Sequence, residues 1–113
     1  MFIGSIGLLY NSLINSGFYC GYNISKDAFI ELMKSRYNIQ PIFADRYAGI
    51  KCILYYDENK GIITEDNGMK ISITIFRTGN VMIIGKFSKM VLKYAFEYFS
   101  NILITYENEL KEK

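Results

Sequence analysis

Histidine is absent from this 113-residue chain, proline occurs once, cysteine occurs twice, and basic side chains outnumber acidic ones by only two. Each shortage removes a class of function. Without histidine there is no imidazole base and no imidazole metal ligand, and Cys20 and Cys52 lie far apart with no paired spacing. A zinc site is therefore not expected, and two reduced core thiols in an intracellular protein are. A single proline in a chain that is half apolar describes a folded protein rather than a disordered one. A net charge of +2 neither demands nucleic acid nor excludes it, because a basic patch is easily hidden in a near-neutral total.

Long apolar runs are missing as well. Met1 to Ile14 has no positive leading segment and is broken by Gly4, Ser5, Asn11 and Ser12, so neither a signal peptide nor a transmembrane helix is expected. The chain reads as soluble, intracellular and one domain over 1–113, a length that buries a core without staples. Catalytic parts are also lacking. There are no paired carboxylates outside loops and helix surfaces, no nucleophile elbow and no glycine-rich phosphate loop, so no enzyme and no cofactor are expected.

What is present is strong β patterning around Ile71 to Gly85, two β-patterned runs flanking a Gly79-Asn80 turn, the clearest hairpin in the chain. Ile71, Ile73 and Ile75 fall on one face, while Ser72, Thr74 and Phe76 fall on the other, which Met82 and Ile84 continue. Upstream, Phe2 to Tyr22 carries no charge and four glycines, which suits one long strand, or two, with residues 1–12 as an N-terminal strand or extension. Ser25 is placed to cap a helix running to about Tyr37, with Asp27 in its first turn and Asn38 ending it. Strand pattern returns at about Ile39 to Arg46 and Ile50 to Tyr56. Residues 57–69 read as an exposed connection. Ser88 begins a long helix whose stripe is Leu92, Ala95, Phe96, Phe99, Ile102, Leu103 and Tyr106, and residues 107–113 read as its fraying end.

Helices on one face of an antiparallel sheet leave the other face to be explained. A surface of Ser72, Thr74, Phe76, Met82 and Ile84, with Arg77 and Lys86 at its margins, suits stacked bases, a minor groove or another protein. Cover by a dimer partner or a further domain suits it equally.

The run Ile71-Ser72-Ile73-Thr74-Ile75-Phe76-Arg77-Thr78-Gly79-Asn80-Val81-Met82-Ile83-Ile84-Gly85-Lys86 resembles the paired strands of one saddle repeat of the TATA-box-binding proteins. In that plan an apolar run, a phenylalanine, two residues, a glycine and a second apolar run lead into a long helix, here Tyr94-Ala95-Phe96-Glu97-Tyr98-Phe99. Asp45-Arg46-Tyr47-Ala48-Gly49 resembles the family's stirrup. Ile14 to Phe18 and Gly21 to Lys26 resemble the first strand and helix start of its divergent members in large nucleocytoplasmic DNA viruses.

The resemblance implies an α+β fold, a curved antiparallel sheet of about five strands with two helices on the convex face. It implies a transcription factor domain that binds the minor groove of A·T-rich double-stranded DNA at viral promoters, in a nucleus or a cytoplasmic viral factory. Carried over, Phe76 and Tyr47 are the wedge pair that kinks the duplex; Leu13, Asn15, Thr74, Met82 and Ile84 line the groove face; Arg77 and Lys86 meet phosphates; Asp45 engages a TFIIB-like factor of the RNA polymerase machinery. Tyr47 replaces a phenylalanine, Ala48 replaces a proline, and Ser72 and Thr74 are more polar than the family's residues. One repeat stands here where the family has two, which implies a second repeat or a homodimer. The polar groove face leaves a second expectation, a protein-interaction module of the transcription machinery that keeps the saddle without strong DNA binding.

Overall fold

The computed structural model describes residues 13–43, 49–66 and 69–113. The fold is α+β, with β1 (Leu13–Tyr19), α1 (Lys26–Tyr37), β2 (Gly49–Asp57), β3 (Gly61–Ile63), β4 (Met69–Phe76), β5 (Asn80–Lys86), α2 (Lys89–Thr105) and α3 (Glu107–Leu110) in chain order.

Both long helices start where a serine takes extended backbone and accepts an amide from the first turn. Ser25 accepts from Ala28 and Ser88 from Val91, each at 3.3 Å, satisfying donors that the helix itself leaves unpaired. Asn38 closes α1 in the left-handed region at φ 52, with the Ile39 N–H donating to the Met33 carbonyl at 2.9 Å. Asparagine tolerates that conformation far better than a branched residue does.

The strands form one open antiparallel sheet in the order β1-β5-β4-β2-β3. Alternation sends Ile14 and Phe18, Val81 and Ile83, Ile71, Ile73 and Ile75, and Ile50, Cys52 and Leu54 to one face. There they pack with Phe29, Leu32 and Met33 of α1 and with Val91, Leu92, Ala95, Phe99, Ile102 and Leu103 of α2. One row across this face runs Ser16, Ile83, Ile73, Cys52. Ser16 is the exception in it, a buried hydroxyl with no hydrogen-bond partner among the described residues.

Four expectations are corrected. Residues 57–69 are not wholly an exposed connection, because β3 lies within them and half-buried Ile62 and Ile63 pair with Tyr56 and Tyr55. Three residues are too short to show a period of two. Their turn is set by Asp57, whose Oδ1 accepts the amides of Asn59 and Lys60 at 2.8 and 3.0 Å.

Nor do residues 107–113 fray. Leu110 is fully buried, its carbonyl accepts the Ser25 N–H at 2.7 Å, and the Glu112 N–H donates to the Asn23 carbonyl at 2.8 Å. This strap lies against the β1–α1 connection through an Ile24–Lys111 bridge. Between α1 and β2, the strand expected from Ile39 to Arg46 is reduced, among the described residues, to an Ile42–Lys51 bridge. The stripe of the last helix also ends one residue early, since Tyr106 follows α2 as its cap.

Candidate nucleic-acid interface

The sheet face away from α1 and α2 carries no element among the described residues. Two cross-strand rows define its middle: Asn15, Ile84, Ser72 and Ile53, then Gly17, Met82, Thr74 and Lys51. Directly opposed side chains on one face touch, so Met82, Ile84, Ser72 and Thr74 are half-buried although no described element lies over them. Five of the sequence-predicted residues, Leu13, Asn15, Thr74, Met82 and Ile84, are thereby brought onto one continuous surface.

Phe76 is half-buried at one end of this surface, paired with Gly49, the first residue of β2. Its position follows from the hairpin beyond it. The Gly79 N–H donates to the Phe76 carbonyl at 2.8 Å, and Gly79 takes φ +95. A Cβ at Gly79 would collide with the Tyr22 carbonyl oxygen, so glycine is required on both counts. The tip is tied to the β1–α1 connection by Cys20 N–H to the Gly79 carbonyl at 2.9 Å and Ile24 N–H to the Arg77 carbonyl at 2.8 Å.

Lys86 lies at the opposite end, across from Leu13. The two predicted phosphate contacts are thus separated along the length of the sheet. Arg77 is moreover engaged: its guanidinium pairs with the Glu112 carboxylate. Hydrogen bonding to Arg77 holds the Glu112 carboxyl below its usual range. Asp45 and Tyr47 lie outside the described residues.

Alternation also places residues here that the sequence reading did not single out. Lys51, Ile53 and Tyr55 of β2 share the open face, and the apolar partners Ile50, Cys52 and Leu54 between them were the signal. The five strands contain three lysines, Lys51, Lys70 and Lys86, all exposed and all on this face by parity. Their single acid, Asp57, ends β2 and is drawn into the β2–β3 turn. The face therefore combines apolar, aromatic and neutral polar groups with positive charge.

The thiols offer no reactive chemistry beside it. Burial pushes Cys52 up to about 12 and raises Cys20 as well, which keeps both protonated at neutral pH. The described residues contain no cluster of three groups able to hold a metal ion, and no helix among them is long and apolar enough to cross a membrane. No protein-family model, no curated protein and no solved structure matches this chain.

Proposed function

We propose that this chain is a TATA-box-binding-protein-like domain that binds A·T-rich duplex DNA through its open sheet face and supports viral promoter recognition. The observation that carries the reading is the open face itself, bare of any described element, on which Lys51, Lys70 and Lys86 lie among apolar and neutral polar groups and Phe76 stands at the edge. Apolar and neutral polar groups suit the floor of a minor groove, lysines suit its phosphate walls, and an aromatic side chain at the margin suits a base step that is pried apart. Phe76 pairs with Gly49, two residues after Tyr47 in sequence, consistent with the two acting as the wedge pair.

The partners of this reading are double-stranded DNA, a TFIIB-like factor reached through Asp45, and a second copy or second repeat. β1 suits the last, since among the described residues Leu13–Tyr19 is a sheet edge, and it has no charged residue; edges lacking charge favour further strand pairing. The nucleus or a cytoplasmic factory is the corresponding site of action.

Fluorescence anisotropy with a short A·T-rich duplex and a scrambled duplex tests the reading, alongside sedimentation of the chain with and without DNA. Preferential binding of the A·T-rich duplex, with a heavier complex, is expected. Equal and negligible binding of both at low salt removes DNA from the function. The engagement of Arg77 by Glu112 and the polar Ser72 and Thr74 favour the second reading, an interaction module of the transcription machinery. Capture of that machinery without DNA, lost in Asp45→Lys, is its test.

A further inference from the structure

On the helix side of the sheet, at the edge formed by β3, two adjoining clefts of about 340 and 520 Å³ open between β3 and α2. Both bring tyrosines against Lys60 and Ile62. Tyr37 and Tyr98 line the first cleft, and Tyr56, Tyr94 and Tyr98 line the second. The Tyr56 and Tyr94 rings lie nearly parallel, at 13° and 6.0 Å between centroids, while Tyr37 meets Tyr98 edge-on at 6.3 Å. Aromatic faces present negative charge density, and cations settle over them. The chain makes this choice itself close by: the Arg36 guanidinium lies 5.8 Å from the centroid of Tyr106, whose ring also packs edge-on against Tyr37.

The charge at this edge points the same way. Residues Asp57 to Asp66 contain four acids and one lysine, a net −3 in a chain whose total is +2. Glu58 lines one cleft and Glu65 the other, both exposed, with Lys60 shared between them. The two clefts together carry two carboxylates against one shared ammonium, a balance that favours a cationic side chain over a phosphate. β3 is also the last strand of the sheet among the described residues, and an edge strand supplies main-chain hydrogen bonds to an added extended segment.

We infer that this cleft is a second binding site, distinct from the open sheet face, which takes the arginine or lysine side chain of an extended peptide segment from a partner protein. The peptide adds alongside β3, its cation rests against Tyr94 and Tyr98, and Glu58 and Glu65 hold it from the rim. The inference does not depend on DNA binding, because the site lies on the other side of the sheet and uses none of the same residues.

The test titrates acetyl-Ser-Val-Arg-Val-Ser-amide, and the same peptide with Gln for Arg, into the isotope-labelled full chain while amide shifts are followed. The arginine peptide is expected to move the amides of Ile62, Ile63 and Tyr98 and to bind about fivefold more tightly than the glutamine peptide. The paired reversal Glu58→Lys and Glu65→Lys, at exposed positions, is expected to abolish that difference, and Tyr94→Ala to weaken binding by a similar factor. Equal binding of the two peptides, no shifts at the cleft, or undiminished binding to the charge-reversed variant overturns the proposal. So does a single-stranded oligonucleotide that moves the same amides more strongly than the peptide.

Discussion

The guanidinium of Arg77 grips both carboxylate oxygens of Glu112, with Nε donating to Oε2 at 2.6 Å and Nη2 to Oε1 at 2.9 Å. A carboxylate and a phosphate offer this fork the same pair of acceptors. Within the chain, Glu112 therefore gives Arg77 the pair of acceptors that a phosphate would give it in the proposed DNA complex.

Replacing Glu112 by Gln is expected to free Arg77 for the duplex. Affinity for A·T-rich DNA rises, and the dependence of log K on log salt steepens by about one unit, the slope of one added phosphate contact. The melting temperature changes little, since both partners are at the surface. Acid has the corresponding effect. The carboxyl is lowered in the folded chain, so the ion pair contributes at pH above the ordinary glutamate range and is lost as pH falls through the depressed value. Anisotropy titrations across salt concentrations check the first outcome, and the same titrations across acidic pH check the second.

Phe76→Ala is expected to weaken duplex binding by about tenfold or more, the scale of one lost aromatic–base contact. Phe76 is half-buried at the end of β4 rather than within the core, so far-ultraviolet circular dichroism should be unchanged. Binding that survives the substitution would remove Phe76 as a wedge.

Leu110→Ala is expected to cost about 2–4 kcal/mol in urea unfolding, the usual loss for a buried leucine. Leu110 is fully buried, and its carbonyl holds the Ser25 amide. Hydrogen exchange at Ser25 should therefore accelerate with it. A fraying tail would show neither effect.

Tyr22→Phe separates a hydrogen bond from a titration. The hydroxyl donates to the Leu103 carbonyl, one of the last carbonyls of α2, which lack partners within the helix. Its loss should cost about 0.5–1.5 kcal/mol at neutral pH. Burial raises the phenol above its ordinary value of 10.0. The folded chain thus keeps a proton that the unfolded chain releases above pH 10. Stability from this group is whole below pH 10 and falls as pH rises beyond it. Tyr22→Phe should flatten that decline in melting temperature, leaving the share due to Tyr37 and Cys52, which burial pushes to about 12, and to Cys20 and Tyr98, which it also raises.

The hairpin around Gly79, both serine caps, the Asn38 stop and the core face of β4 are legible in the sequence because each rests on local chemistry. Alternation, a side-chain acceptor or a positive φ is decided within a few residues. The open face was legible on β4 and β5 for the same reason. Alternation with Ile50, Cys52 and Leu54 marks Lys51, Ile53 and Tyr55 as facing away from the core, but that they lie beside Thr74 and Ser72 rests on the pairing of β2 with β4, a relation between residues about twenty apart. The strap at Leu110 was hidden similarly: one leucine among charged residues looks solvated until Ser25 and Asn23 are known to lie beneath it. Arg77, read as a free phosphate contact, is claimed by a carboxylate 35 positions away.

The place of β1 in the sheet bears on how the chain comes to fold. Its strand neighbour is β5, about sixty residues later in the chain, with β4, β2 and β3 beyond. Of the described strands β1 is therefore made first and paired last on the ribosome, and at about 5–20 residues per second it waits several seconds for its partner. Throughout that wait Ile14 and Phe18 have no sheet to cover them. A nascent chain of this protein carries an uncharged, apolar segment that invites a chaperone until β5 arrives.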